Sequence, residues 1–276
     1  MFHRVTDWTG AYTNGANIPE GHRWPAAWEG PAAAFRERMS AAGRAGLGLS
    51  YGEGERNRLD LFLPDAATPK GLVVFVHGGY WVALDRSYWS QFSAGALAHG
   101  YAVAIPSYTL CPDIRIRDIK VEIAAAVAAA ASRVDGPIRL IGHSAGGHLV
   151  TRLACSDTPL APDLVARLAH VVSLSGLHDL RPLLNIETNA KLRLDEAEAR
   201  AESPALLSPL DGLRLTAWVG GAERAEFRRQ NALLANIWTG LGTATACVEE
   251  PDRHHFNVLD GLAEPDHPLT RALVGN

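Results

Sequence analysis

The chain has 276 residues, 47% of them hydrophobic and 20% charged, with a formal net charge of −4. This is the composition of a globular protein large enough to bury its own core, so no disulfide or metal staple is needed. The mild charge gives no electrostatic case for nucleic acid or an anionic membrane surface, and basic residues such as Arg36, Arg38 and Arg44 are scattered.

Residues 1 to about 45 differ from the rest and are rich in Trp8, Tyr12, Pro19, Trp24, Pro25 and Trp28. A short helix is predicted from Pro31 to Ala42. No linker follows, so this is an N-terminal extension packed on the main domain, either as plain cover or as part of a pocket wall. Leu59–Leu63 alternates like an edge strand and stops at Pro64. Gly71–Val76 is a continuous apolar run ending in His77, Gly78 and Gly79, as a buried parallel strand would be. A helix over Ser87–His99, a strand over Tyr101–Ile105 ended by Pro106, and an alanine-rich helix over Ile114–Ser132 follow. Ile138–Ile141 is a third buried strand, and a helix begins after it and runs through Leu149–Ala154. Strands Ala169–Leu174 and Leu213–Val219, helix Glu226–Leu241, strand Ala244–Val248 and a helix between His267 and Val274 complete the pattern.

Alternation over roughly 200 residues implies one mostly parallel sheet with helices on both faces. Ligands then bind at the carboxyl ends of the strands. The polar segment Arg181–Asp211, bounded by Pro182, Pro204 and Pro209 and helical over Asp195–Ala201, interrupts the alternation. It reads as an insertion over the site or as a surface excursion. A single domain spanning 1–276 is expected, with a small cap from the N-terminal extension and the 181–211 insertion.

Three cysteines, Cys111, Cys155 and Cys247, are widely spaced and form no C-x-x-C pattern. They suggest neither a disulfide framework nor zinc, and a reducing compartment fits. The N-terminus lacks a signal-peptide layout, and the apolar stretch around Ile123–Ala131 is too short to span a bilayer. A cytoplasmic protein with a small-molecule substrate is expected, with no nucleic-acid or membrane partner.

The strongest motif is G-H-S-A-G-G-H, residues 142–148, which contains G-x-S-x-G directly between a buried strand and a helix. A nucleophilic serine needs such a sharp turn, and small residues two before and two after it let strand and helix approach. The following helix N-terminus directs N–H groups at an oxyanion formed on Ser144. The alternative, a glycine-rich phosphate turn, lacks the lysine or G-x-G-x-x-G it would require. In this setting the motif predicts an α/β-hydrolase fold. The second motif, H-G-G-Y-W at 77–81, also ends a buried strand. The amides of Gly78, Gly79 or Tyr80, with that of Ala145, could hold one oxygen, each such donor being worth ~3–4 kcal/mol in a transition state. Tyr80 and Trp81 would stand at the pocket mouth and contact substrate.

The base is sought among eleven histidines. Chain order in this fold is serine, acid, histidine. His148 follows Ser144 within its helix and His170 begins a strand, so both read as structural. His254 and His255 lie on a loop after the strand Ala244–Val248. His255 is the first candidate and His254 the alternative; the pair lacks the acidic partners a metal would want. Glu223, on the loop after Leu213–Val219, is the candidate acid, followed by Glu226 and Asp252. Its role would be to fix the imidazole tautomer and stabilise the imidazolium.

Taken together, H-G-G-Y-W, G-H-S-A-G-G-H-L, S-G-L-H-D-L at 175–180, E-R-A-E-F-R-R-Q at 223–230 and H-H-F at 254–256 resemble the arylformamidases. These are also called kynurenine formamidases, serine hydrolases related to hormone-sensitive lipase-like esterases. The resemblance runs from about Tyr51 to Val258. It implies hydrolysis of N-formyl-kynurenine to kynurenine and formate, with Ser144 as nucleophile, His255 as base and the 77–81 turn as oxyanion site. Glu223 stands where the family often carries aspartate in D-S-P-E-F, and His254 replaces the aspartate of D-H-F. The chemistry needs no metal or organic cofactor. Two other functions fit less of the pattern: a carboxylesterase for short acyl esters, and a non-catalytic binding protein on a hydrolase scaffold.

Overall fold

A computed structural model describes residues 4–275. The strands are β1 (Ala45–Ser50), β2 (Arg58–Phe62), β3 (Leu72–Val76), β4 (Ala102–Pro106), β5 (Ile138–His143), β6 (Leu168–Leu174), β7 (Arg214–Gly220) and β8 (Ala244–Glu250). They form one sheet in the order β1-β2-β4-β3-β5-β6-β7-β8. The β1–β2 and β2–β4 pairs are antiparallel and every other pair is parallel.

The α-helices are α1 (Trp8–Tyr12), α2 (Trp24–Ala41), α3 (Ala94–Ala98), α4 (Ile116–Ala131), α5 (Ala145–Leu153), α6 (Pro162–Arg167), α7 (Asn189–Leu192), α8 (Glu196–Ala201), α9 (Ala225–Gly240) and α10 (Pro268–Val274). Alternation along the strands assigns them to two faces. Leu72, Val74 and Val76 face a core shared with Ile119 and Ile123 of α4, Leu149 of α5 and Leu234 of α9. Val73 and Phe75 face the other core, with Phe35 of α2, Leu97 of α3 and Leu273 of α10. This is the α/β-hydrolase fold, a mostly parallel sheet covered on both sides.

Three local expectations are corrected. The strand at Leu59–Leu63 is not an edge: β1 covers it, and four of the five β2 residues are buried. The sequence of β1, Ala-Gly-Leu-Gly-Leu-Ser, has two glycines and little strand propensity, and is held partly by Gly48 N–H donating to Asp60 Oδ1 at 2.8 Å. The helix predicted from Pro31 starts earlier, at Trp24; Pro25 occupies the first turn, where a missing N–H costs nothing, and Pro31 lies inside. The helix predicted over Ser87–His99 is two 3₁₀ turns, Arg86–Tyr88 and Ser90–Ser93, followed by α3. Asp85 caps the first turn, while Trp89 breaks the run at φ −120° and buries its indole against Trp28 at 4.7 Å.

The 181–211 segment folds back as short turns and is clamped at both ends of α8. Arg115 Nε donates to Glu198 Oε2 at 2.8 Å. At the C-terminal end, Glu202 accepts from Lys120 Nζ at 2.9 Å and its carbonyl accepts from His148 Nε2 at 2.7 Å. Arg152 Nε lies 3.0 Å from Glu202 Oε2, an ion pair without hydrogen-bond geometry, and its guanidinium forks onto Asp157 with two bonds of 2.8 Å.

Candidate active site

Four strand ends supply the site. At the first, β5 stops at His143 and Ser144 takes φ 55°, ψ −117°. Such a conformation costs a non-glycine residue roughly 1–3 kcal/mol and is held only by its surroundings. Ser144 N–H donates to Leu174 O at 2.8 Å, and its carbonyl accepts from His148 N at 3.2 Å. The motif glycines follow from space. A Cβ on Gly142 would lie 2.0 Å from Gly146 O, and one on Gly146 would lie 1.9 Å from Val76 O. Strand, turn and helix therefore close only with hydrogen at both positions.

At the second, the 77–81 turn leaves β3 beside this serine. His77 stacks on Tyr108 at 4.3 Å and donates from Nδ1 to Gly78 O at 2.7 Å. Burial lowers its pKa to about 4, so the ring is neutral. A Cβ on Gly78 would come within 3.0 Å of Ser144 Cβ, so the backbone here abuts the serine. Gly79 has φ 111°, with Ala83 O 2.3 Å from where a Cβ would sit; Tyr80 and Trp81 continue at φ 52° and 57°. Among the described residues, no protein acceptor takes the backbone N–H of Gly78, Gly79, Tyr80 or Ala145.

The third and fourth strand ends, those of β7 and β8, bring Glu223 and His255. His255 is buried and donates from Nδ1 to Glu223 Oε2 at 2.6 Å. The other carboxylate oxygen accepts from Ser175 Oγ at 2.5 Å and from Gly220 N at 2.8 Å. The imidazole packs 4.7 Å from the rings of both His143 and Phe227. His143 donates from Nε2 to His255 O at 2.8 Å; burial, and then the neighbouring His255, hold the His143 pKa well below its ordinary value. The residue before the serine thus grips the backbone of the histidine. Ser144 and His255 line one cavity. An arrangement of this kind can deprotonate the serine and return the proton to a leaving group.

The alternatives fall elsewhere. His254 Nδ1 accepts from the N–H of Phe256 and Asn257, both at 3.2 Å, and its ring stands edge-on to Trp24 at 5.1 Å. Glu226 accepts from Tyr12 Oη at 2.7 Å and pairs with Arg229. Asp252 is exposed in a turn at φ 60°.

The cavity holds about 380 Å³. Its walls come from the N-terminal segment through Tyr12, Asn14 and Trp28, from the 77–81 turn through Tyr80, from Trp89 and Phe256, and from the insertion through Ile186 and Thr188. Glu187 N–H donates to Thr9 Oγ1 at 3.1 Å, joining extension to insertion. The expectation for Trp81 is corrected: it is wholly buried in the core, 5.2 Å from His148, and does not line the cavity. Tyr80 lines the cavity and donates its hydroxyl to Tyr12 O. Sequence reasoning missed Ser175, which holds the carboxylate, and His143, which holds the His255 backbone. Both sit inside quoted motifs, but nothing in their spacing reveals these partners.

The BD-FAE family model matches residues 59–208. A kynurenine formamidase of Salmo salar is 28% identical over 250 residues, covering 86% of this chain and 84% of that protein. A crystal structure from Silicibacter sp. tm1040, assigned provisionally as a thioesterase, is 45% identical, covers 98% of this chain and 100% of its own, and superposes with a TM-score of 0.92. Esterase B of Lactobacillus rhamnosis shares the fold at a TM-score of 0.66 and 18% identity, covering 91% of each chain.

Proposed function

The chain belongs to the BD-FAE family and is a hydrolase of the formamidase or esterase kind; from that premise we propose that it cleaves the N-formyl amide of an aromatic amine, N-formyl-kynurenine above all, through a formyl-serine intermediate. The observation that carries this reading is the Glu223–His255 bond of 2.6 Å ending in the same aromatic-walled cavity as the strained Ser144. In it, His255 Nε2 takes the proton of Ser144 as Oγ attacks the formyl carbon. The amides of Gly78, Gly79 or Tyr80 and of Ala145 stabilise the oxyanion. The protonated His255 then gives its proton to the leaving amine, and water activated by the same ring releases formate. The names of the curated relatives support the formamide.

The second reading, hydrolysis of short acyl esters, is supported by the esterase and thioesterase descriptions of the structural neighbours. Side-by-side kinetics on N-formyl-kynurenine and short p-nitrophenyl esters decide between them. The formamide is expected to give the higher kcat/KM, and an ester preference of orders of magnitude would reject the formamidase. Fluorophosphonate labelling that is absent from wild type would reject the serine hydrolase reading itself. A cytoplasmic location belongs to the same proposal and is supported by three free cysteines. Among the described residues no helix is long and apolar enough to cross a membrane.

A further inference from the structure

Among the sequence motifs, S-G-L-H-D-L at 175–180 has no step in the proposed chemistry. It begins where β6 ends, and its first residue is strained. Ser175 takes φ 55°, the same value as Ser144, a left-handed backbone that is uncommon for serine and persists only where the surroundings impose it. Those surroundings hold it on both sides. Leu174 O accepts from Ser144 N–H at 2.8 Å, and Ser175 N–H donates to Trp218 O at 2.7 Å. The end of β6 is thereby tied to the turn that carries the nucleophile and to the strand that leads to Glu223. The loop beyond is fixed as well. A Cβ on Gly176 would lie 2.2 Å from Ser173 Oγ, and Gln230 Oε1 accepts from the N–H groups of His178 and Asp179 at 2.9 and 2.8 Å.

From this anchored position the Ser175 hydroxyl donates to Glu223 Oε1 at 2.5 Å. The Glu223 side chain is fully buried, and among the described residues no Lys or Arg pairs with it. Its charge is met by three donors, His255 Nδ1, Ser175 Oγ and the backbone N–H of Gly220. The last two share Oε1, the oxygen turned away from the histidine. Glutamate has one more rotatable bond than aspartate, so more freedom must be removed to hold Oε2 against the imidazole. Two donors to a charged oxygen at fixed places remove it. Of the two, only the hydroxyl can be deleted by substitution.

We propose that Ser175 is a positioning residue of the reaction: its hydroxyl orients the Glu223 carboxylate towards His255, and it contributes to turnover only through that carboxylate. The strained position is occupied by serine because the hydroxyl is needed there; glycine would adopt the same φ freely. The inference rests on the assignment of Ser144, His255 and Glu223, and is independent of whether the substrate is a formamide or an ester.

A double-mutant cycle tests it. Ser175→Ala, Glu223→Gln and the pair are compared by kcat and KM on N-formyl-kynurenine or, if that is inert, on p-nitrophenyl acetate. Ser175→Ala should lower kcat about 10- to 100-fold, as loss of a hydrogen bond to a buried charge would, with KM within about threefold. In the Glu223→Gln background the same change should alter kcat by less than about threefold, because the charge it serves is gone. Equal losses in both backgrounds would overturn the proposal, since damage to the fold spares neither. So would a Ser175→Ala enzyme within about threefold of wild type. Ser175→Gly separates the hydroxyl from the strain, and carries the cycle if the alanine variant does not fold. It accepts the backbone but lacks the hydroxyl, so it should lose as much kcat as Ser175→Ala; a wild-type kcat in Ser175→Gly would also overturn the proposal. For the slowest variants the rate of fluorophosphonate labelling at Ser144 reads the same cycle. The two failures look different. Glu223→Gln within about tenfold of wild type removes the acid assignment and this inference with it. A full loss in Glu223→Gln with additive Ser175 effects leaves the acid in place and removes this inference alone.

Discussion

Replacing Glu223 by Gln tests the proposed acid while preserving its shape. The carboxylate accepts from His255 Nδ1–H at 2.6 Å on one oxygen, and from Ser175 Oγ–H at 2.5 Å and Gly220 N–H at 2.8 Å on the other. A carboxamide has only one acceptor oxygen. With its NH₂ towards Gly220, donor meets donor in a buried site at a cost of ~1–3 kcal/mol. With its NH₂ towards His255, the ring must carry its proton on Nε2, the atom that has to receive the serine proton. The second orientation is therefore favoured about 5- to 150-fold, at 1.36 kcal/mol per factor of ten. The imidazolium of the transition state also loses its adjacent negative charge. An acid-to-amide change in a serine-protease triad costs about 10⁴ in kcat. We expect kcat to fall ~10³- to 10⁴-fold, about 4–5.5 kcal/mol, with KM within about threefold. Steady-state kinetics on the better of the formamide and ester substrates, with the urea midpoint as a folding control, measure this. Glu226→Gln and Asp252→Asn should each stay within about threefold in kcat. Activity of Glu223→Gln within about tenfold of wild type, or equal damage in Glu226→Gln, would refute the assignment.

Gly146→Ala puts a Cβ 1.9 Å from Val76 O, a backbone atom that cannot step aside, so we expect at least ~3 kcal/mol of destabilisation by urea titration and loss of fluorophosphonate labelling. Gly240→Ala, at the end of α9 with nothing within 4 Å of its Cβ, should be neutral or stabilise by about 0.5–1 kcal/mol. Tyr12→Phe removes the hydroxyl that donates to Glu226 at 2.7 Å and accepts from Gln230 at 3.2 Å. It should cost ~1–2 kcal/mol in urea and speed proteolysis of the N-terminal segment; unchanged values in both assays would contradict the anchoring. Burial lowers the pKa of His77 and His170 to about 4 and of His148 and His178 to about 3. The unfolded chain, with histidines near 6.5, binds more protons than the folded one below that pH. Stability is thus fully present above about pH 6.5 and falls as pH drops towards the folded values. Urea titrations at pH 6 and pH 5 should show a loss steeper than one proton's ~1.4 kcal/mol per pH unit, and a flat profile would contradict neutral burial of these rings.

The parts of the fold read most directly from the sequence have local causes. Strands β3, β5, β6 and β7 are apolar runs ending in turn residues, and the glycines of 142–146 announce a close approach, since a Cβ on Gly142 or Gly146 would lie 1.9–2.0 Å from a backbone oxygen. The strand β1 escaped because its two glycines weaken the signal, and it is fixed by pairing with β2, a tertiary effect. The start of α2 escaped because two prolines compete for the first turn and only packing chooses between them. At the site, Ser144, Glu223 and His255 come together although 32 residues separate the latter two. Chain order in the fold suggested that grouping. Ser175 and His143 were not readable, since a side chain's partner across the sheet leaves no periodicity or spacing. Trp81 was misplaced because both aromatics after the glycine turn were set at the pocket mouth, whereas only Tyr80 lines the cavity and Trp81 is buried in the core.

The clamp on the 181–211 segment bears on how this scaffold could be redesigned. Its proline-bounded ends look like natural cut points for exchanging the whole segment with a relative's. Yet the C-terminal part is tied to the helix that begins at Ala145: Glu202 meets Arg152, and its carbonyl takes the His148 N–H at 2.7 Å. A wholesale exchange would take Glu202 from an arginine that is 1% exposed and leave it Asp157 alone, and losing one partner of a buried charge is a costly change in a core. The segment reaches the cavity only through Ile186 and Thr188. Retargeting is therefore better attempted by point changes at those two positions, with the ion cluster left intact, than by grafting.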